Sequence, residues 1–256
     1  MERCPRSSVA EQVSLKNRVG GSIPSGGICL RRYDEASWSI TLIQVSVGTV
    51  LASRKPAGSK GCRPWPVDGR CERGENRAMT EQEWLACTDP QAMLDFMFEQ
   101  ASRRKIELYT SGCYRSVWHL LTDERFRNKM NMRDRYFDGL ATVDDLDSAI
   151  KAADDVPHQL VLAAWDSISP QRQVEILRDL FGNPFRTVAL DPCWLTPTVI
   201  ALAQEIYDSR GFDRLPSLAH SLEAAGCTDA DLLAHCRSAA PHVLGCWVVD
   251  LLLGKE

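Results

Sequence analysis

The chain has 256 residues, of which 44% are hydrophobic and 25% are charged, and its formal net charge is −4. This is enough apolar material for one large or two small globular domains. Nucleic-acid binding needs a concentrated basic surface, which an acidic balance does not indicate, so we expect no nucleic-acid partner. The charge is uneven, because residues 1–78 hold 13 Lys and Arg against 7 Asp and Glu, whereas residues 79–256 hold 17 against 27.

Residues 1–78 differ from the rest of the chain in composition. They carry nine of the 16 glycines and little helical periodicity, a composition that buries too little apolar surface to offset the entropy of ordering. We expect residues 1–78 to be a disordered arm or a spurious upstream extension that precedes a natural start at Met79. The alternative is a small β-rich domain around residues 38–52.

The apolar run from Trp38 to Ala52 is the strongest membrane or export signal near the N-terminus. It is too short and too polar for a membrane span, and it begins too late for an ordinary signal peptide. We therefore expect no membrane contact. The ten cysteines are then expected to be reduced thiols in the cytoplasm, since lasting disulfides need an oxidising compartment.

From Met79 onward the sequence carries repeated helix signals. Capping-box spacings mark helix starts, glycines mark helix ends, and apolar residues between them recur at three- and four-residue steps. We therefore predict that residues 79–256 form a single all-α domain, a compact helical bundle. The predicted start pairs are Thr80 with Glu83, Thr88 with Gln91, Thr142 with Asp145 and Thr228 with Asp231, and the predicted stops include Gly139, Gly182 and Gly226.

Residues 183–195 lack helical period and contain two prolines, which predicts an irregular crossing. A helix is expected to follow from Pro197, to break at Gly211, and to be followed by a second helix that ends at Gly226. This pair predicts an antiparallel helical hairpin. Stacked hairpins of this kind build protein-binding surfaces in helical-repeat proteins, although the sequence shows no second copy at a fixed period.

Pro241 is expected to be the first residue of a last helix that carries nine apolar residues between Val243 and Leu253. A helix that is apolar on nearly every side is either the centre of a bundle or a homo-oligomer contact. Asp250 is an anomaly in such a helix, because a buried carboxylate is costly unless it is paired. We expect an arginine partner, with Arg178, Arg186 and Arg214 as candidates; the alternative is a general acid with a raised pKa.

The last thirty residues concentrate cysteine and histidine, which zinc accepts as ligands together with carboxylates. The chain has no CxxC pair, however, and the neighbouring His235 and Cys236 would point about 100° apart on a helix. We therefore favour cysteines that pack as small hydrophobic residues and expect no cofactor, with zinc as the alternative. The candidate metal ligands are Cys227, His235, Cys236, His242, Cys246 and Asp250.

Common catalytic motifs are absent from the sequence, including GxSxG, GxxxxGK[ST], HExxH and GxGxxG. We assign no catalytic residue. The composition and the helical pattern favour a non-enzymatic protein-interaction or regulatory module with a protein partner. The alternative is a metal-dependent or thiol-based enzyme that uses the C-terminal His/Cys/Asp cluster.

Five segments carry a resemblance to a known family: MTEQEWLACTDPQAML, WHLLTDERFR, LFGNPFR, LDPCWLTPTVIALAQEIYDSRGFDRLP and GCTDADLLAHCRSAAPHVLGCWVVDLLLGKE. Together they resemble a large paralogous family of planctomycete proteins over about residues 79–140 and 175–256. Members usually begin at a methionine equivalent to Met79, so the resemblance implies that start. It implies no cofactor or catalytic residue, because none is established for the family. Members often carry an ACACCRR-like run where this chain has YTSGCYRS and keeps only Cys113.

Overall fold

The computed structural model of the protein describes residues 79–98 and 100–255. Their regular structure is eleven α-helices and three short 3-10 turns, without a strand, which confirms the all-α prediction; the predictions for residues 1–78 lie outside the described residues. None of the described helices combines the length and the apolar character that crossing a bilayer requires. The helices are α1 Glu81–Ala86, α2 Pro90–Met97, α3 Arg103–Ser116, α4 Glu124–Phe137, α5 Val143–Ala152, α6 His158–Asp166, α7 Pro170–Phe181, α8 Pro197–Ser209, α9 Leu215–Ala224, α10 Ala230–Cys236 and α11 Trp247–Leu253.

Two of the four predicted capping boxes form. At the start of α1 the Thr80 hydroxyl accepts a hydrogen bond from the Glu83 amide, while the Glu83 carboxylate accepts one from the Thr80 amide; Thr142 and Asp145 do the same at α5. The prediction for Thr88 is wrong, because Asp89 caps α2 directly before Pro90. The prediction for Thr228 is wrong for the same reason, since Asp229 caps α10.

Helix α3 is central to the bundle, and packs against α4, α6 and α7. Helix α6 fills an interval for which the sequence predicts no element. The expected helical hairpin forms from α8 and α9, which pack against each other, and residues 183–195 are irregular as predicted, apart from a 3-10 turn at Pro192–Trp194. The largest fully buried side chains are Trp84, Met93, Leu108, Tyr109, Met130, Ile176, Leu177, Leu180, Ile206, Leu215, Leu218 and Leu222.

The prediction of a long apolar last helix is wrong in the length of that helix. Helix α11 begins at Trp247 and has seven residues, and Pro241 does not start it. Two tertiary features stop a longer helix: the Val243 amide donates to the Asp179 carboxylate at 2.7 Å, and Gly245 takes a φ of +92°. The short helix is nevertheless enclosed, because Val248, Val249, Asp250 and Leu252 are buried and α11 packs against α7, α8 and α10.

Asp250 has an arginine partner, but not one of the three predicted from the sequence. Arg104 of α3 donates to both carboxylate oxygens, at 2.7 and 3.3 Å, and the Lys105 ammonium lies 2.6 Å from Oδ2. The predicted candidates bind elsewhere: Arg178 donates to backbone carbonyls of α1 and its C-terminal end, Arg186 pairs with Glu81 and Asp231, and Arg214 pairs with Glu205.

Candidate metal centre

Four side chains from three separate segments converge at one end of the bundle. Asp179 lies in the last turn of α7, His235 in the last turn of α10, His242 in the irregular connection 237–246, and Cys246 directly before α11. One potential ligand atom from each residue lies within 4.8 Å of the others. The ligands of a tetrahedral zinc ion lie about 3.3–3.6 Å apart, so a small inward movement of these atoms brings them to bonding distance.

Asp179 is at the middle of this group, which we call the Asp179 cluster: Asp179, His235, His242 and Cys246. Its Oδ1 atom lies 2.6 Å from His242 Nδ1 and 3.2 Å from His235 Nε2. His235 Nε2 also lies 3.2 Å from Cys246 Sγ. The four residues therefore form a continuous set of short polar contacts.

Asp179 differs from the other buried carboxylates of the described residues in the partners that it has. Glu107 pairs with Arg133, Asp134 with Arg115 and Arg210, and Asp250 with Arg104 and Lys105. Among the described residues, the ionic partners of Asp179 are the two histidines alone, and its Oδ2 atom also accepts from the Val243 amide. Removing a carboxylate from water is costly without a matching positive charge, and a bound divalent cation supplies that charge.

His235 Nε2 faces two potential ligand atoms at once, Asp179 Oδ1 and Cys246 Sγ. A protonated Nε2 donates to the carboxylate, and a cysteine sulfur can either accept from Nε2–H or donate to a Nε2 lone pair. A metal ion among the four groups satisfies all of them, because each then directs a lone pair at the ion.

His242 adds a further buried polar atom. Its side chain is 6% exposed, and its Nε2 atom has no hydrogen-bond partner in the described structure. Because His242 Nδ1 faces Asp179, Nδ1 is the nitrogen placed to bind an ion and Nε2 is the second ring nitrogen. Metal-bound histidines usually donate that second nitrogen to a neighbour, and the described residues supply no such neighbour for His242.

The electrostatics of the cluster set the protonation of its groups before a metal binds. Burial raises the pKa of the Cys246 thiol well above its ordinary value, and the nearby Asp179 charge adds to this effect. Burial opposes ionisation of Asp179, but hydrogen bonds from His235 and His242 outweigh it and hold the pKa of the carboxyl below its usual range. A metal that binds here must therefore displace the thiol proton, as zinc does at structural cysteines.

Gly245 positions the cysteine ligand. Its φ of +92° lies in a region that side chains disfavour. A Cβ atom at this position would lie 2.7 Å from Leu108 Cδ1 and 2.9 Å from Leu180 Cδ2. Only glycine lets the connection pass this close to α3 and α7 and bring Cys246 beside His235.

The structure brings together three of the six ligands proposed from the sequence, His235, His242 and Cys246. Cys227 and Cys236 are buried, without belonging to the cluster, and Asp250 is held by Arg104 and Lys105 instead. His242, Cys246 and Asp250 do not lie on one helix, because α11 begins only at Trp247.

Asp179 is the ligand that sequence reasoning missed. It lies 63 residues from His242, in a helix whose pattern is that of an ordinary amphipathic segment. One signal was available: Asp179 sits between the apolar Leu177, Leu180 and Phe181, on the side of α7 that faces the core.

A cleft of about 810 Å³ lies beside the cluster. The His235 side chain lines this cleft and is 16% exposed, whereas the other three ligand side chains are almost fully buried. Its walls are largely apolar and aromatic, with Trp84, Phe181 and Trp247 among them. The cleft gives a solvated route from the surface to the His235 side of the cluster.

The donor set indicates the kind of metal. A thiolate with two imidazoles and one carboxylate suits zinc or another late first-row ion, whereas magnesium and calcium prefer sites made of oxygen atoms. Four protein ligands fill a tetrahedral sphere, which is the arrangement of structural zinc sites.

Comparison of the chain with protein-family models, with curated proteins and with solved structures gives no match.

Proposed function

We propose that this protein is a zinc-binding helical domain in which Asp179, His235, His242 and Cys246 hold one structural Zn²⁺ ion. The observation that carries the proposal is the Asp179 carboxylate, which is buried among two histidines and a cysteine where each other buried carboxylate of the described residues has Arg or Lys. Zn²⁺ with one carboxylate and one thiolate gives a neutral buried site.

The ion would join three parts of the fold. Asp179 belongs to α7, His235 to α10, and His242 and Cys246 to the segment that leads into α11. Because the connection 237–246 has no regular structure, it gains little from backbone hydrogen bonds of its own. A metal ion would therefore tie this irregular connection to α7 and α10 at a further point.

The enzymatic alternative has less support. Four protein ligands leave no open position of the kind that catalytic zinc sites keep for water or substrate. A nucleophilic cysteine needs a lowered pKa, whereas burial raises the pKa of the Cys246 thiol. The proposal includes a cytoplasmic location, where cysteine thiols are kept reduced.

Metal analysis of the full chain, purified under reducing conditions, tests the proposal. We expect one equivalent of zinc, and after exchange with Co²⁺ we expect the absorption of a tetrahedral cobalt ion with one thiolate ligand. Cys246→Ala should abolish that thiolate absorption. Cys236→Ala is the matched control, since Cys236 is equally buried but lies outside the cluster. The proposal fails if the wild-type chain takes up no metal, or if the two variants lose it equally.

A second candidate function, protein binding, is favoured by the surface of α5. Residues 139–166 contain six Asp and one Lys, and the apolar Leu140, Val143 and Ile150 of this region are exposed. Val143 and Ile150 are seven residues apart, so they lie on one face of the helix with Asp147 between them. This acidic and apolar face fits a basic amphipathic helix as its partner.

A synthetic helical peptide of leucine and lysine can probe this face by titration calorimetry. We expect the double substitution Val143→Ser and Ile150→Ser to weaken binding about tenfold without any change in charge. Leu160→Ser is the control, because Leu160 is exposed on the neighbouring helix α6. If the double substitution weakens binding no more than Leu160→Ser does, the apolar face of α5 does not hold the peptide, and this candidate is removed. The association of two copies of the chain through the last helix, which the sequence pattern suggested, stays a prediction.

A further inference from the structure

Lys105 connects the segments that carry the metal ligands. Its ammonium group donates to the carbonyl of Leu180 at 3.0 Å and to the carbonyl of Gly245 at 2.6 Å. It also lies 2.6 Å from the Asp250 carboxylate. Leu180 follows the ligand Asp179, and Gly245 precedes the ligand Cys246. One side chain of α3 thus fixes the backbone beside two ligands that are far apart in the sequence.

The two carbonyl groups have few other ways to be satisfied. Leu180 lies in the last turn of α7, where backbone carbonyls have no partner within the helix. Gly245 lies in the irregular connection before α11. Of the three N–H donors of the Lys105 ammonium, two bind these carbonyls, and the Asp250 carboxylate pairs with the same group as its counter-ion.

The role of Lys105 can be separated from the neutralisation of Asp250. Arg104 already binds both oxygens of Asp250, so this carboxylate keeps a cationic partner when Lys105 is removed. The carbonyls of Leu180 and Gly245 keep no such partner among the contacts of Arg104, which go to Asp138, Tyr207 and Asp250. Loss of Lys105 therefore acts mainly on the backbone that holds Asp179 and Cys246.

We propose that Lys105 is a positioning residue of the metal centre, which sets the separation of the Asp179 carboxylate and the Cys246 thiolate by holding the Leu180 and Gly245 carbonyls. This inference rests on the proposed zinc site. Groups that orient metal ligands through one intermediate contact commonly contribute about 10–100-fold to metal affinity. Lys105 differs from the usual case because it orients the backbone next to the ligands and not the ligand side chains themselves.

The test compares metal affinity and cobalt spectra of full-length variants. We expect Lys105→Met to lower zinc affinity about 10–100-fold, in competition with a chromophoric chelator, and to alter the cobalt spectrum, since the ligand geometry changes. Arg115→Met is the matched control. Arg115 lies on the same helix and binds a buried carboxylate, Asp134, away from the cluster, so its removal should leave metal affinity and spectrum unchanged.

Lys105→Arg supplies the conservative variant. The guanidinium keeps the charge but cannot place its donors as a compact ammonium does, so we expect an affinity between those of the wild type and Lys105→Met. This variant also decides the matter if Lys105→Met does not fold. In that case, wild-type affinity and spectrum in Lys105→Arg would overturn the positioning role.

The outcomes separate this inference from the zinc proposal. If the wild-type chain binds no metal, both fail. If the wild type binds zinc and Lys105→Met binds it with the same affinity and spectrum, only the positioning role fails. Equal weakening by Lys105→Met and Arg115→Met also overturns it, because the effect would then be a general loosening of the bundle.

Discussion

Arg104 Nη1 lies 2.7 Å from Asp250 Oδ2, across 146 residues of the sequence. The same guanidinium donates to Asp138 at 2.9 Å and to the Tyr207 hydroxyl at 2.7 Å. Tyr207 in turn donates to Asp138. The two residues thus connect α3 to α11 through a buried network that also reaches the end of α4 and helix α8.

Arg104→Met should destabilise the fold by about 3 kcal/mol, as measured by urea unfolding of the full chain. The value lies at the lower end of the range for a broken buried ion pair because Lys105 keeps Asp250 paired. Arg214→Met is the control. Arg214 was a partner predicted from the sequence, but it is 41% exposed and pairs with Glu205, so its loss should cost less than about 1 kcal/mol. Equal costs would contradict the burial argument.

Gly245→Ala should destabilise the protein more than Gly226→Ala. Both glycines have φ near +90°, so each substitution imposes about 1–3 kcal/mol of backbone strain. Only at Gly245 would the new methyl group meet Leu108 and Leu180, since nothing lies within 4 Å of the position at Gly226. Overpacking adds about 1–3 kcal/mol. Chemical denaturation of the two variants checks this difference, and identical stabilities would show that the connection can move away.

The cysteines should differ sharply in their rates of alkylation. Burial raises the pKa of Cys113 and of Cys236 to about 12, so at pH 8 these thiols are protonated as well as inaccessible. Cys87 is only partly buried and should be labelled before both. Because the thiolate is the reactive form, raising the pH towards 10 should still leave Cys113 almost unlabelled. Pulse alkylation with site-resolved mass spectrometry measures this, and early labelling of Cys113 would contradict the described core.

Zinc should raise the thermal stability of the wild-type chain. At a free concentration of 100 times the dissociation constant, a ligand that binds only the folded state adds about 2.7 kcal/mol, which corresponds to a rise in Tm of about 5–10 °C for a domain of this size. Scanning calorimetry with and without chelator provides the measurement. Cys246→Ala should show almost none of this rise; the same rise in that variant would assign the effect to cysteines outside the cluster.

The helices could be predicted from the sequence because their signals are local. The Thr80 and Glu83 side chains cap a helix start three residues apart, and Gly182 ends α7 with a positive φ. Each of these interactions joins residues within one or two turns. Errors arose where two local signals competed: Asp89 stands next to Thr88 and takes the cap, because a carboxylate directly before Pro90 is placed to bind the Gln91 amide.

The local sequence pattern predicts the wrong start for the last helix, because a tertiary hydrogen bond changes the backbone before that helix. Nothing near Val243 in the sequence indicates that its amide donates to Asp179, 64 residues earlier. That hydrogen bond and the turn at Gly245 separate His242 from α11, and they place it beside His235, with the two ring centroids 4.9 Å apart. The irregular connection, and with it the geometry of the Asp179 cluster, is a product of packing.

Local signals were enough to predict that the described part of the chain, from Met79 onward, is all-α, where most of its helices begin and end, and that histidines and cysteines gather near its C-terminal end. The reason is that hydrogen bonds within helices and their caps join near neighbours. The tertiary structure alone decided which of those side chains meet, that Asp179 joins them, and that Arg104 and Lys105 hold Asp250. Several of these contacts join residues that are far apart along the chain, as the 63 residues between Asp179 and His242 and the 146 between Arg104 and Asp250 show. Their pairing follows from how the helices pack, which periodicity along the chain does not specify.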